Sequence, residues 1–150
     1  MKDIFIYRKE NFGFTKYNTN TMLHEFVSSI DTPYLKYIEL SKDKYIDNGL
    51  LVAPIRIYVE TTLRCNLKCP YCFNIVDNHG ELNTQEMLDA ITLFSKSGVI
   101  DLRFTGGEIT IRDDWDVLLR HAKELGFIVS VNTNGVYKDL ETLKKCAIDL

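Results

Sequence analysis

The sequence predicts an α/β fold with parallel strands, preceded by a small module that contains a β-hairpin. From residue 55 onward, three runs rich in β-branched residues (55–61, 99–104 and 127–131) are typical of strands, and each is followed by a segment with helical periodicity. A strand–helix order repeated in this way indicates parallel strands joined by right-handed crossovers. The pattern therefore predicts an α/β sheet or barrel.

The helix after the first of these strands is predicted to begin at Asn83 and to end at Gly98. Asn83 and Glu86 have the spacing of a capping box, in which each side chain hydrogen-bonds the backbone N–H of the other residue. The apolar residues of this helix share one face, and they are Met87, Leu88, Ile91 and Phe94.

Two more helices complete the pattern. Asp113 is expected to cap the second, which ends at Gly126 and turns one face inward: Trp115, Leu118, Leu119, Ala122 and Leu125. The third is predicted over 138–147, with Leu140, Leu143 and Ala147 inward. Residues 148–150 then resemble the opening of a fourth strand, so we expect the sequence to be part of a longer chain.

Residues 1–53 are predicted to form a separate N-terminal module, and residues 54–150 the α/β part. DIFIYRK and FGFTKYN are two aromatic-rich runs on either side of Glu10-Asn11, which indicates a hairpin; the alternative is a turn that includes Gly13. TMLHEFV fits a third strand or a short helix, and PYLKYIELS is predicted to be a helix. The module has two possible roles, packing against the α/β part or binding a partner.

Composition narrows the function classes. The 150 residues are 45% hydrophobic and carry a net charge of −3, which argues against a basic nucleic-acid surface. The N-terminus has no long apolar run, so neither a signal peptide nor a membrane span is expected. Cys146 stands alone outside the cysteine-rich stretch, which gives no disulfide framework and favours a cytoplasmic location.

Three of the four cysteines lie close together, in CNLKCPYCFN (65–74). Three chemistries use such a stretch. A CPYC dithiol in a thioredoxin-like fold would need a later proline facing it, and none follows Pro70. A zinc site could use Cys65, Cys69, Cys72 and His79, but structural zinc sites usually take their ligands from two separate turns. Three thiolates from one loop suit an iron–sulfur cluster best.

The stretch ETTLRCNLKCPYCFN (60–74), with its C-x₃-C-x₂-C spacing after a strand, resembles the signature of the radical S-adenosylmethionine superfamily. TGGE (105–108) closes the second strand, where that family has a Gly-Gly-Glu motif, although Ile109 follows where the family often has proline. The resemblance implies the first half of a (β/α)6 TIM-like barrel. It also implies a [4Fe–4S] cluster on Cys65, Cys69 and Cys72, with S-adenosylmethionine at the open iron.

The same resemblance assigns roles around the cofactor. Gly106, Gly107 and Glu108 are expected to receive the methionine amino group, and Tyr71 is expected to lie against the adenine or to shield the cluster. In NTNG (132–135), which ends the third strand on the same side, Asn132 and Asn134 are expected either to contact polar groups of the cofactor or to serve an Asn-Gly turn.

The implied activity is reductive cleavage of S-adenosylmethionine to a 5′-deoxyadenosyl radical that abstracts hydrogen from a substrate. A hairpin module followed by LLVAPIRIYVETTLRCNLKCPYCFN is most similar to the peptide- and protein-maturing (SPASM-type) branch, with a peptide or protein substrate and a reducing partner of flavodoxin or ferredoxin type. The alternatives are a small-molecule substrate or a non-catalytic iron–sulfur or zinc module. Nucleic-acid and membrane partners are not expected.

Overall fold

The computed structural model describes residues 3–45, 49–74, 80–136 and 141. The chain divides into two compact units: Met1–Ile55 with Ser97–Ile100, and Arg56–Lys96 with Asp101–Leu150. The predicted third helix (138–147, of which only residue 141 is described), the predicted fourth strand (148–150), His79 and Cys146 lie outside the described residues. In the described part of the chain, no helix is long and apolar enough to cross a membrane.

The first unit contains a four-stranded sheet in the order β3-β2-β1-β4. Its strands are β1 (Phe5–Glu10), β2 (Gly13–Asn18), β3 (His24–Val27) and β4 (Lys36–Ile38), and a short 3-10 helix follows at Lys42–Lys44. β1 and β2 form the predicted antiparallel hairpin, but its turn is Asn11-Phe12 rather than Glu10-Asn11, because Glu10 still pairs with Gly13. Of the two possibilities for TMLHEFV, the strand is correct, because His24–Val27 pairs antiparallel with β2.

The helix predicted over PYLKYIELS is wrong. Lys36–Ile38 is a strand that pairs parallel with Ile6–Arg8 of β1, and the Leu35 N–H donates to the Phe5 carbonyl at 2.8 Å. The reason is tertiary: β4 satisfies the backbone groups on the side of β1 that β2 leaves free, and this gain overrides a weak local preference for helix.

A buried ion pair holds the first unit together. Arg8 is 0% exposed, and its Nε donates to Glu10 Oε1 at 2.7 Å. Its remaining nitrogens donate to the carbonyls of Ala53, Pro54 and Gly98 at 2.8–3.0 Å. Glu10 also accepts from Thr15 Oγ1 and from the Val52 N–H. Because both charges are hydrogen-bonded throughout, the burial of this pair is tolerated.

The second unit is a parallel α/β layer, as predicted. Its sheet has the order β5-β6-β7, with all neighbours parallel. The elements are β5 (Arg56–Thr62), α1 (Thr84–Lys96), β6 (Asp101–Gly106), a 3-10 helix (Ile109–Ile111), α2 (Trp115–Glu124) and β7 (Ile128–Val131). Most of the buried apolar residues of this unit lie on the strands and on the helices: Val59, Leu102, Phe104, Met87, Ile91, Ile109, Trp115, Leu118, Leu119 and Ala122. Phe127, between α2 and β7, is also buried.

The helix starts test the capping predictions. The Asn83–Glu86 capping box is confirmed: the Glu86 N–H donates to Asn83 Oδ1 at 3.0 Å, and the Asn83 N–H donates to Glu86 Oε2 at 2.8 Å. The cap expected at Asp113 is wrong, because Asp114 is the N-cap residue of α2. Its carboxylate makes no capping bond, since Arg112 and Thr84 already hydrogen-bond it.

We predict that Asn83→Ala lowers the free energy of unfolding by about 1 kcal/mol, the usual effect of removing an N-cap side chain. Asn83→Asp keeps an acceptor for the Glu86 N–H and places a negative charge at the helix N-terminus, so it should leave stability unchanged or slightly higher. Urea unfolding followed by circular dichroism measures both variants. Equal losses in the two would show that the capping box does not stabilise α1.

Candidate functional site

The candidate site lies at the carboxyl ends of the three parallel strands of the second unit. β5 ends at Thr62, β6 at Gly106 and β7 at Val131, and the segments that follow carry the cysteine stretch, the Gly-Gly-Glu motif and the NTNG turn. Parallel strands place these ends at one edge of the sheet, where ligands of α/β folds bind. The three motifs predicted from sequence are therefore neighbours in space.

The three cysteines of the loop after β5 are free thiols. Cys65 and Cys72 are exposed and Cys69 is partly exposed. Cys69 and Cys72 are joined by a backbone turn, in which the Cys72 N–H donates to the Cys69 carbonyl at 3.1 Å. Cys65 Sγ accepts from the Leu67 N–H at 3.5 Å.

The donor set of this loop is compatible with an iron–sulfur cluster. A [4Fe–4S] cluster takes one thiolate on each iron. The loop presents three accessible thiols that form no disulfide, and these could serve three of the irons. Among the described residues, no group of three or more His, Cys, Asp and Glu side chains is arranged to hold a metal ion.

The two glycines of the Gly-Gly-Glu motif hold the end of β6 against the chain that leads into Cys65. The Gly107 N–H donates to the Thr62 carbonyl at 2.7 Å, and the Glu108 N–H donates to the Arg64 carbonyl at 2.8 Å. A Cβ on Gly106 would lie 2.2 Å from the Thr62 oxygen, and one on Gly107 would lie 2.1 Å from the Arg64 oxygen. Only glycine allows this close approach of two backbones.

Glu108 is 0% exposed, and donors of the chain itself surround its carboxylate. Oε1 accepts from the Thr110 N–H at 3.2 Å and from Thr110 Oγ1 at 2.7 Å. Thr133 Oγ1 lies 3.0 Å from Oε1 and 2.9 Å from Oε2, and the Asn134 N–H donates to Oε2 at 2.8 Å. Thr133 was not identified from the sequence, although its position inside NTNG was a signal for it.

The two asparagines of the NTNG turn have different surroundings. Asn134 Nδ2 donates to Asn66 Oδ1 at 2.7 Å and lies 3.7 Å from Cys65 Sγ. Asn132 is tied to the sheet by its backbone, whose N–H donates to the Phe104 carbonyl at 2.8 Å. Tyr71 is 85% exposed, so its ring is accessible to a ligand.

A charged network supports the base of the cysteine loop. Glu81 accepts from Thr62 Oγ1 and, at 3.0 and 3.1 Å, from the Arg64 guanidinium, which lowers the pKa of the Glu81 carboxyl. Arg112 is buried and donates to both oxygens of Asp114, so the pKa of Asp114 also lies below its usual value. Arg112 additionally donates to the Thr61 carbonyl at 2.9 Å.

Comparison with known proteins agrees with the family resemblance found in the sequence. Residues 59–150 match the family described as the Radical SAM superfamily. A PqqA peptide cyclase of Rhodopseudomonas palustris is 36% identical over 97 residues, which are 63% of this chain and 26% of that protein. One from Streptomyces rochei is 39% identical over 87 residues, 56% of this chain and 24% of that protein. The chain spans about a quarter of the length of these relatives.

Two solved structures share the fold. Streptococcus suis SuiB bound to its precursor peptide SuiA superposes with a TM-score of 0.70 at 15% identity, covering 95% of this chain and 45% of SuiB. SuiB bound to S-adenosylmethionine superposes with a TM-score of 0.64 at 18% identity, covering 96% of this chain and 44% of SuiB.

We predict that Gly107→Ala lowers the free energy of unfolding by about 1–3 kcal/mol, the range for forcing an extra carbon into a packed site. The new Cβ would meet the backbone oxygens of Leu63 and Arg64, which cannot move aside as a side-chain tip can. Gly80→Ala is the matched control, because its Cβ would meet nothing within 4 Å. Urea unfolding measures both, and equal stability of the two variants would contradict the close approach.

We predict that Asp114 contributes an acid-sensitive part of the stability. Its pKa is lower in the folded chain than in the unfolded one, so the contribution is present above the ordinary value of about 3.9 and is lost as pH falls through the folded pKa. The stability difference between the parent and Asp114→Asn should therefore shrink between about pH 6 and about pH 3. Urea unfolding at a series of pH values measures it, and a constant difference would contradict the prediction.

Proposed function

Because this chain belongs to the radical S-adenosylmethionine superfamily, we propose that it holds a [4Fe–4S] cluster through Cys65, Cys69 and Cys72 and cleaves S-adenosylmethionine reductively. The carrying observation is the set of three free thiols on one loop at the carboxyl edge of a parallel sheet. When bound, the cluster and S-adenosylmethionine supply one-electron chemistry that yields a 5′-deoxyadenosyl radical for hydrogen abstraction. A reducing partner of flavodoxin or ferredoxin type would provide the electron.

The residues around the thiols are proposed to bind and position S-adenosylmethionine. Gly106 and Gly107, at the end of β6, are assigned to the methionine amino group together with Glu108. Since donors of the chain occupy the Glu108 carboxylate, we assign the direct contact first to the carbonyls of the two glycines. The exposed ring of Tyr71 is assigned to the adenine, and Asn132 to polar groups of the cofactor.

The second unit is proposed to be the first half of a (β/α)6 TIM-like barrel. Support comes from the order β5-β6-β7, with every pair parallel and a helix in each connection. In such a barrel, the carboxyl ends of the strands surround the active site, which is where the three motifs lie.

The proposed substrate class is a peptide or protein. The relatives at 36–39% identity are named peptide cyclases, and the described part of the first unit has an edge strand, β3, which pairs only with β2. Phe26 on β3 and Phe12 beside it are both exposed and pack edge to face with their ring centroids 5.3 Å apart. An extended peptide could add to this edge by backbone hydrogen bonds and place an apolar side chain against the two rings. The alternatives are a small-molecule substrate and a non-catalytic metal module.

A cytoplasmic location is proposed, because free thiols persist in a reducing compartment.

We predict that the chain, reconstituted anaerobically with iron and sulfide, forms 5′-deoxyadenosine from S-adenosylmethionine when dithionite is added. Mass spectrometry measures the product, and Cys69→Ala, which removes one cluster ligand, should give none. A colourless protein that holds one zinc ion would refute the proposal. If the protein is brown and holds a cluster but forms no product, the proposed cluster site stands and the proposed cleavage by this chain is refuted.

The substrate class is tested in the same assay with isotope transfer. A peptide fraction from cells grown in deuterated medium serves as the hydrogen donor, and the matched control is the same fraction after protease digestion. Deuterium in 5′-deoxyadenosine that disappears after digestion supports a peptide substrate. Deuterium that persists supports a small molecule.

A further inference from the structure

We infer that Asn134 tunes the cluster by donating an N–H···S hydrogen bond to the ligand sulfur of Cys65, and thereby raises the reduction potential of the cluster. The inference rests on the proposed function, because Cys65 must be a cluster ligand. It gives Asn134 a positioning and tuning role toward the thiol rather than a contact with S-adenosylmethionine.

The orientation of the Asn134 amide is fixed by its neighbours. Its Oδ1 accepts from the Val136 N–H at 2.8 Å, so the NH₂ group points the other way, toward Asn66 and Cys65. Asn66 is fixed independently, since its own NH₂ donates to the Val136 carbonyl at 2.8 Å and leaves Oδ1 as the acceptor facing Asn134. Both amides are thus determined by backbone partners of known polarity.

The NH₂ group of Asn134 has two acceptors within hydrogen-bond distance. The nitrogen lies 2.7 Å from Asn66 Oδ1 and 3.7 Å from Cys65 Sγ, so the group has one hydrogen available for each acceptor. A hydrogen bond to sulfur is longer than one to oxygen because the sulfur atom is larger. The donor is therefore in place before any cluster is bound.

Asn134 is held in this position by the buried carboxylate of Glu108. The Asn134 N–H donates to Glu108 Oε2 at 2.8 Å, and Thr133 binds both oxygens of the same carboxylate. A turn anchored by a buried charge cannot drift away from Cys65 without leaving that charge short of donors. The Asn134 amide is thus preorganised toward the sulfur.

The physical consequence concerns the reduced cluster. Reduction adds negative charge to the cluster and its thiolates, and an N–H dipole directed at a ligand sulfur stabilises that charge, which raises the reduction potential. The Leu67 N–H at 3.5 Å acts on the same sulfur through the backbone. Asn134 is the side chain through which this effect can be changed by substitution.

The test is a redox titration of the reconstituted chain, without S-adenosylmethionine, followed by electron paramagnetic resonance. Asn134→Ser retains a side-chain oxygen for the turn but is too short to reach Cys65, and Asn134→Asp keeps the shape while replacing the donor with an acceptor. Both should shift the midpoint potential to a more negative value than that of the parent. Asn132→Ser and Asn132→Asp, in the same turn, are the matched controls and should shift it less, with Asn132→Asp reporting the effect of charge alone.

Equal potentials for the parent and Asn134→Ser would overturn the inference, as would equal shifts for Asn134→Asp and Asn132→Asp. If Asn134→Ser does not fold or does not take up the cluster, the comparison of Asn134→Asp with Asn132→Asp decides. A parent chain that takes up no iron would refute the proposed function itself, and with it the inference. A parent that loads a cluster whose potential does not respond to Asn134 would refute only the inference.

Discussion

The carboxylate of Glu108 is the group on which the geometry of the site depends. It is fully buried, and a buried charge is stable only where hydrogen bonds replace the lost water. Its donors come from Thr110 on its own segment and from Thr133 and Asn134 in the turn after β7. One side chain therefore ties the segments that follow two neighbouring strands to each other, and neither end can move without exposing an unpaired acceptor.

The Gly-Gly-Glu motif extends this constraint to β5, the remaining strand of the same sheet. Since Gly107 and Glu108 donate to carbonyls of the chain before Cys65, the position of β6 also sets the start of the cysteine loop. The Gly-Gly-Glu motif was interpreted from sequence as a surface for the methionine group. The structure adds a second reason for each residue type: the glycines admit a neighbouring backbone, and the glutamate holds a neighbouring turn.

Local patterns predicted the local features well. The capping box at Asn83, the buried face of α1 around Ile91 and the buried face of α2 around Leu118 all follow from spacings of three and four residues. The sequence displays these spacings directly. The helix expected at PYLKYIELS was wrong because β4 is stabilised by pairing with β1, about thirty residues away, and no short window contains that information. The hydrogen bonds from Arg8 to the carbonyls of Ala53 and Gly98 were not predicted for the same reason, because these residues are distant from Arg8 in the sequence.

The distinction between local and long-range contacts also applies within the cysteine loop. Cys65 was predicted as one of three cluster ligands, and its described contacts reach well beyond the loop. Its sulfur is approached by Asn134 and by the Leu67 N–H, and the residue before it is bound to Glu81 and to the backbone of Glu108. For the Cys69 and Cys72 pair, the described hydrogen bond is the local turn between them. The contacts of Cys65 come from a turn about seventy residues further along the chain and from the segment after β6, so the surroundings of this thiol depend on how the three strands meet at one edge of the sheet. The spacing of the cysteines in the sequence does not contain that information.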